Sequence, residues 1–219
     1  MPRQSRVVIP DIAHHVTQRG NYQQTVFESD NDFRKYRSWI KEYSEKYNVE
    51  ILAFCLMRNH VHFIVIPKTI DGLSRTFNTT HMRYAQYINK KRGVVGHLWQ
   101  GRFFSCLLDD VHLYRAIRYV ECNPVRKRIV AAAWDYQWSS ARDHVGGEKG
   151  IIPLRESLEM TPEEWQSYLT ESDSEMVKEI RLKTKRGNAV GTAAFMKRIE
   201  QEAKRSFQCI NPGRSKKKV

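Results

Sequence analysis

Cysteine is scarce in this chain: four residues, at 55, 106, 122 and 209, with no short paired spacing. That excludes a disulfide framework and a zinc ribbon. No apolar run reaches the roughly 18 residues of a membrane-spanning helix. The stretch from Met1 to Pro10 lacks the apolar centre of a signal peptide. The expectation is a soluble, cytoplasmic protein without a membrane partner. No G-x-x-x-x-G-K-[ST] loop occurs, so a helicase-like motor is absent from the reading. There is no internal repeat. Acidic residues are outnumbered, 24 against 37 Lys plus Arg, leaving a net charge of +13. That balance favours a polyanionic partner, with nucleic acid ahead of an anionic membrane. The excess is concentrated: from Met176 to Val219 there are 13 basic and 3 acidic residues, a net +10. The last fifth is the electrostatic part, and the rest reads as an ordinary folded domain.

Periodicity orders the elements. A strand is expected from about Ile12 to Arg19, ending at the breaker Gly20-Asn21. Ser29 and Asp30 cap a helix carrying Phe33, Tyr36, Ile40, Tyr43 and Tyr47 at spacings of three and four. Two strands follow, Val49 to Met57 and His60 to Ile66, joined tightly at Arg58-Asn59. Asp71-Gly72 opens a second helix with Leu73, Phe77, His81, Tyr84 and Ile88 on one stripe. A fourth strand lies around Arg102 to Leu108. The order β-α-β-β-α-β is that of a ferredoxin-like α+β fold, an antiparallel sheet with helices on one face. Asp109 and Asp110 cap a third helix, which Asn123-Pro124 stops. Trp134 to Ser140 reads as loop. Gly146-Gly147 marks a boundary, dividing a domain over 1–147 from a helical, basic extension over 148–219. In that extension Thr161-Pro162-Glu163-Glu164 is a helix start. Two more helices are expected, at about Ser174 to Lys185 and Ala193 to Phe207. The tail from Asn211, with Lys216-Lys217-Lys218, is expected to be disordered.

Chemistry concentrates on His60-Val61-His62. Alternate residues of a strand share a face, roughly 6.6 Å apart, so both imidazoles lean onto one point. Imidazole binds transition metals generally, and two histidines on a wet strand face are an equal alternative. The third helix adds partners. Leu113, Ile117 and Val120 form its apolar stripe, and His112, Arg115, Tyr119 and Asn123 fall opposite. A phenol beside an amide oxygen, facing two imidazoles, makes a nucleophile next to a metal site.

The strings "NHVHF", "WQGRFF" and "YRAIRYVECNPVR", with "HHVTQRGN" near the start, resemble the REP-associated tyrosine transposases of the single-tyrosine HUH superfamily. The similarity runs from about Ala13 to Ser140. Relatives carry "MPNHVH" where this chain has Arg58 in place of the proline. The resemblance implies a catalytic domain over 1–147 with Tyr119 as nucleophile and His60, His62 and Asn123 as metal ligands. It implies Mg2+ or Mn2+ as cofactor and single-stranded or hairpin DNA as partner. The tyrosine would attack a phosphodiester, leaving a 5′-phosphotyrosyl link and a free 3′-hydroxyl. It also implies a prokaryotic cytoplasm, with the protein on the nucleoid when DNA-bound. Two alternatives stand beside it: a hairpin-binding protein without catalysis, and a replication or mobilisation initiator with the same chemistry. Oligomeric state is left open between monomer and homodimer. Candidate DNA contacts are Arg19, Asn21, Arg102, Arg115 and Arg126, with Trp99, Phe103 and Phe104 as stacking platforms.

Overall fold

The computed structural model describes residues 6–155, 159–171, 174–204 and 206. The tail from Asn211, expected to be disordered, lies outside the described residues. Strand β1 (Ala13–Arg19) leads through a 3₁₀ turn at Asn21–Gln23 to helix α1 (Asp30–Lys46). Strands β2 (Val49–Met57) and β3 (His60–Pro67) precede helix α2 (Gly72–Arg92) and strand β4 (Phe104–Leu108). The α+β order expected from periodicity is therefore present, with sheet order β2-β3-β1-β4 and antiparallel neighbours throughout. A fifth strand, β5 (Ala189–Val190), adds to β4 in parallel. Sequence reasoning missed it because two residues carry no periodic signal.

Local chemistry explains the framing elements. Ser29 starts α1 with a capping box, and Asp32 Oδ2 accepts from the backbone N–H of Glu28 and Ser29 at 3.0 Å each. Lys91, in the last turn of α2, donates to the same carboxylate at 2.8 Å and ties the two helices together. Gly93 then ends α2 with φ +66°, a conformation that glycine adopts without a Cβ penalty. At Gly20 the constraint is space, since a Cβ would lie 2.5 Å from the carbonyl oxygen of Gln24. Helices α1 and α2 cover one sheet face, where Tyr36, Phe63, Phe77 and Tyr84 pack as buried rings.

The opposite face receives α3 (Asp110–Glu121), the short turn α4 (Asn123–Arg126) and, from the C-terminal part, α7 (Ser174–Arg186). Asp109 caps α3 by accepting from the His112 backbone N–H at 2.8 Å. The expected loop at 134–140 holds a 3₁₀ turn at Ala133–Asp135 and then runs along the β2 edge. There Leu56 donates to Trp138 and Ser140 to Phe54, so that edge is covered. Helices α5 (Ala141–His144), α6 (Pro162–Thr170) and α8 (Ala193–Glu202) complete the order. The last of these ends at Glu202, short of the expected Phe207.

Candidate active site

Strand alternation puts His60 and His62 on the α3 face, with Val61 and Phe63 turned into the α1/α2 core. The two imidazoles stand edge to face at 5.0 Å between centroids. Tyr119 comes down from α3 onto this pair, its ring edge-on to His62 at 5.7 Å. His15, from β1, joins them: its ring lies 5.6 Å from Tyr119, and its Nε2 is 2.8 Å from His62 Nδ1. All four side chains are buried. The structure thus brings together the three residues that spacing alone had aligned, and adds a fourth.

Ring-nitrogen partners decide what the histidines offer. His60 Nδ1 lies 2.6 Å from Asn59 Oδ1, an atom that only accepts, so Nδ1 carries the proton and Nε2 keeps its lone pair. Burial pushes the pKa of His60 down to about 3, helped by the positive charges of Arg19, Lys127 and Arg181. His62 is lowered by burial and then by His60, His15, Arg126 and Arg19. Both are therefore neutral at neutral pH, the state a metal ligand needs. Asn123 Nδ2 donates to the carbonyls of Tyr119 at 3.2 Å and Val120 at 3.0 Å. Its oxygen is left as the acceptor that could turn to an ion. Two imidazole nitrogens and an amide oxygen are a donor set that fits a divalent cation. Among the described residues no three His, Cys, Asp or Glu side chains are disposed as a metal cluster; the set proposed by sequence includes an amide.

The other expected residues divide. Arg126 donates to the Tyr119 carbonyl oxygen, and its guanidinium sits 4.5 Å over the Tyr119 ring. Arg19 pairs with His60 across β1 and β3 and is exposed. Arg102 and Arg115 are also exposed, and Asn21 is half-buried, its backbone N–H donating to Leu98 at 2.8 Å. Trp99 needs correcting. Its indole donates to the His81 carbonyl at 3.0 Å and packs against His81, Tyr36 and Tyr84, leaving 8% exposed. That burial makes it a core residue with no free face for a base. Phe103 is likewise buried against Phe77, under the Arg6 guanidinium. Sequence reasoning missed His15, although "HHVTQRGN" contains it, because only strand register shows that it meets His62. Lys127 and Arg181 were also missed; Arg181 acts on His60 through its charge from α7, a long-range effect that no local signal carries.

Helix α3 is buried on more than its apolar stripe. Residues 116–121 are all buried, Arg118 and Glu121 included. Arg118 donates to Glu171 at 2.9 Å, while Glu121 accepts from the Trp165 indole at 2.9 Å and pairs with His144 at 2.7 Å. These buried charges are the anchors on which the C-terminal helices dock.

Comparison with known proteins bears on the fold and the family. A REP-associated tyrosine transposase by name, from Haemophilus influenzae, is 27% identical over 142 residues, covering 60% of this chain and 74% of that protein. The solved structure of a REP-associated tyrosine transposase bound to a REP hairpin aligns with a TM-score of 0.54 at 19% identity. It covers 73% of this chain and 98% of that one, and shows a shared fold. The family model described as IS200-like transposase matches residues 8–123, more than half of the chain and every element from β1 to Asn123. The chain belongs to the IS200-like transposase family.

Proposed function

We propose that this protein is a DNA strand transferase of the REP-associated tyrosine type, acting on single-stranded or hairpin DNA. The observation that carries the reading is Tyr119 standing edge-on to the metal-competent His60 and His62 pair. In this reading the Tyr119 oxygen attacks a backbone phosphorus. The bond to the 3′ oxygen breaks, that oxygen leaves as a hydroxyl with a proton, and the 5′ side stays on tyrosine. A later attack by a 3′-hydroxyl reverses the exchange, so bond energy is conserved without a nucleotide. His60 Nε2, His62 Nε2 and the Asn123 amide oxygen would hold Mg2+ or Mn2+, which supplies Lewis-acid polarisation of the phosphoryl oxygen. Arg126 fixes the tyrosine ring and, with Arg19, Lys127 and Arg181, surrounds the pair with positive charge for the attacked phosphate. The division into a catalytic part over 1–147 and a basic extension over 148–219 belongs to the same proposal, the extension adding phosphate contacts.

The test is a gel-shifted covalent adduct between the full chain and a labelled hairpin oligonucleotide with a single-stranded flank. Adduct should form with Mg2+ or Mn2+, vanish with EDTA and fall at least about 100-fold in His60→Ala or His62→Ala. Asn123→Ala should lose less, because water replaces a neutral amide. Undiminished adduct in EDTA would remove the metal from the mechanism.

A further inference from the structure

A chain of hydrogen bonds leaves the histidine pair and passes through α7 to β4. His62 Nδ1 lies 2.8 Å from His15 Nε2, His15 Nδ1 lies 2.8 Å from Thr184 Oγ1, and Thr184 Oγ1 lies 3.0 Å from Cys106 Sγ. The two rings are parallel to within 7°. His15, His62, Thr184 and Cys106 are all buried, so water does not replace a missing link. Nothing in the proposed chemistry yet uses His15 or Thr184.

The two histidines of the pair are oriented by different means. His60 is fixed by Asn59 Oδ1, a pure acceptor that leaves no choice of tautomer. His62 has no such fixed partner. Its neighbour is another imidazole, and the chain can be read in two directions. In one, His62 Nδ1–H donates to His15, His15 Nδ1–H donates to Thr184, and the Thr184 hydroxyl turns to Cys106. His62 Nε2 then carries a lone pair. In the other, every donor is reversed, and His62 carries its proton on Nε2, where it cannot ligate. The Thr184 hydroxyl is what makes the first direction available. Without its hydroxyl, the first direction strands a buried His15 N–H, whereas the second strands only a lone pair. Orphaned buried donors are the rarer and costlier of the two.

We infer that His15 and Thr184 are positioning residues of the metal site, holding His62 in the Nδ1–H tautomer so that Nε2 faces the ion. This rests on the reading of His60 and His62 as ligands. It follows that the C-terminal extension supplies a link of a site whose ligands lie on the sheet and α3. A histidine ligand's outer partner affects metal affinity directly, with losses of about 10- to 100-fold when it is removed.

The experiment uses the full chain without DNA and reads metal binding and tautomer rather than cleavage. Mn2+ titration followed by the electron paramagnetic resonance of free Mn2+ gives affinity. Long-range proton–nitrogen correlation on histidine-labelled protein with Mg2+ gives the tautomer. Wild type should show His62 protonated on Nδ1. Thr184→Val, close to isosteric, and His15→Leu should weaken Mn2+ binding about 10- to 100-fold. Thr184→Ser restores the hydroxyl and His15→Gln restores an acceptor, so both should bind within about threefold of wild type. Thr184→Val binding Mn2+ as wild type does, or His62 protonated on Nε2 in the Mg2+-loaded protein, would overturn the proposal. His60→Ala serves as the reference: if it too binds as wild type, the ligand assignment beneath has failed instead.

Discussion

Replacing Tyr119 by Phe removes one oxygen from a ring held by His15, His62 and the Arg126 guanidinium. Those contacts involve the ring, so the fold should survive with a stability change within about 1 kcal/mol. Covalent adduct should disappear while hairpin binding stays within about twofold. An adduct that persists, mapped by mass spectrometry to Tyr114, would mean another phenol attacks. Why were Tyr119, His60, His62 and Asn123 legible at all? Their relation is written in local periodicity: two apart on a strand, four apart on a helix. The neighbours that tune them were not legible. His15 meets His62 through a strand register, and Thr184 meets His15 across 169 residues of chain. Trp99 shows the same limit from the other side. Composition marks an aromatic but does not say which face of the sheet will bury it.

Helix α3 is where the two parts of the chain meet. Its buried Glu121 accepts from the Trp165 indole and from Ser140, and pairs with His144, tying α3 to α5 and α6. Trp165 is fully buried beside it, with Tyr114 and Tyr168 against its ring. Trp165→Ala should therefore cost about 3 to 5 kcal/mol, from lost burial and from a Glu121 oxygen left without its donor. Urea unfolding followed by circular dichroism measures this, and a loss under about 1 kcal/mol would show that α6 docks only loosely. The boundaries of α1, β2, β3 and α2 came close from sequence because capping residues and apolar spacing fix them locally. The docking roles of Arg118 and Glu121 were not legible in the sequence, for a physical reason. A charged residue on a helix signals solvent unless a partner from elsewhere neutralises it, and here both partners arrive from beyond residue 140.

Across the whole molecule the histidines set an acid limit. His14 and His81 lie away from the nucleophile and are held neutral by burial, with pKa values lowered to about 4 and about 3. His14 Nδ1 bonds the Ile12 carbonyl at 2.8 Å, and His81 Nε2 meets the Tyr36 hydroxyl at 2.9 Å. In the unfolded chain both would titrate near the ordinary 6.5. Below that value the unfolded state binds more protons, so stability is intact above it and falls as pH drops toward the folded values. Each such group removes up to about 1.4 kcal/mol per pH unit, about 2.7 for the two. His144 works in the opposite sense. Burial lowers its pKa, but the Glu121 charge and hydrogen bond outweigh burial and leave it raised. Its contribution is complete below 6.5 and is lost as pH rises through the folded value. Maximum stability should therefore lie just above pH 6.5. Urea midpoints should drop steeply between pH 6.5 and 5.5, before carboxylates titrate. His81→Gln, which keeps an acceptor for Tyr36 and cannot titrate, should flatten that slope by about 1.4 kcal/mol per pH unit. A wild-type curve that is flat from pH 7.5 to 5.5 would contradict the burial-neutralised histidines. An unchanged slope in His81→Gln would assign the acid loss to the other histidines, those around Tyr119 included.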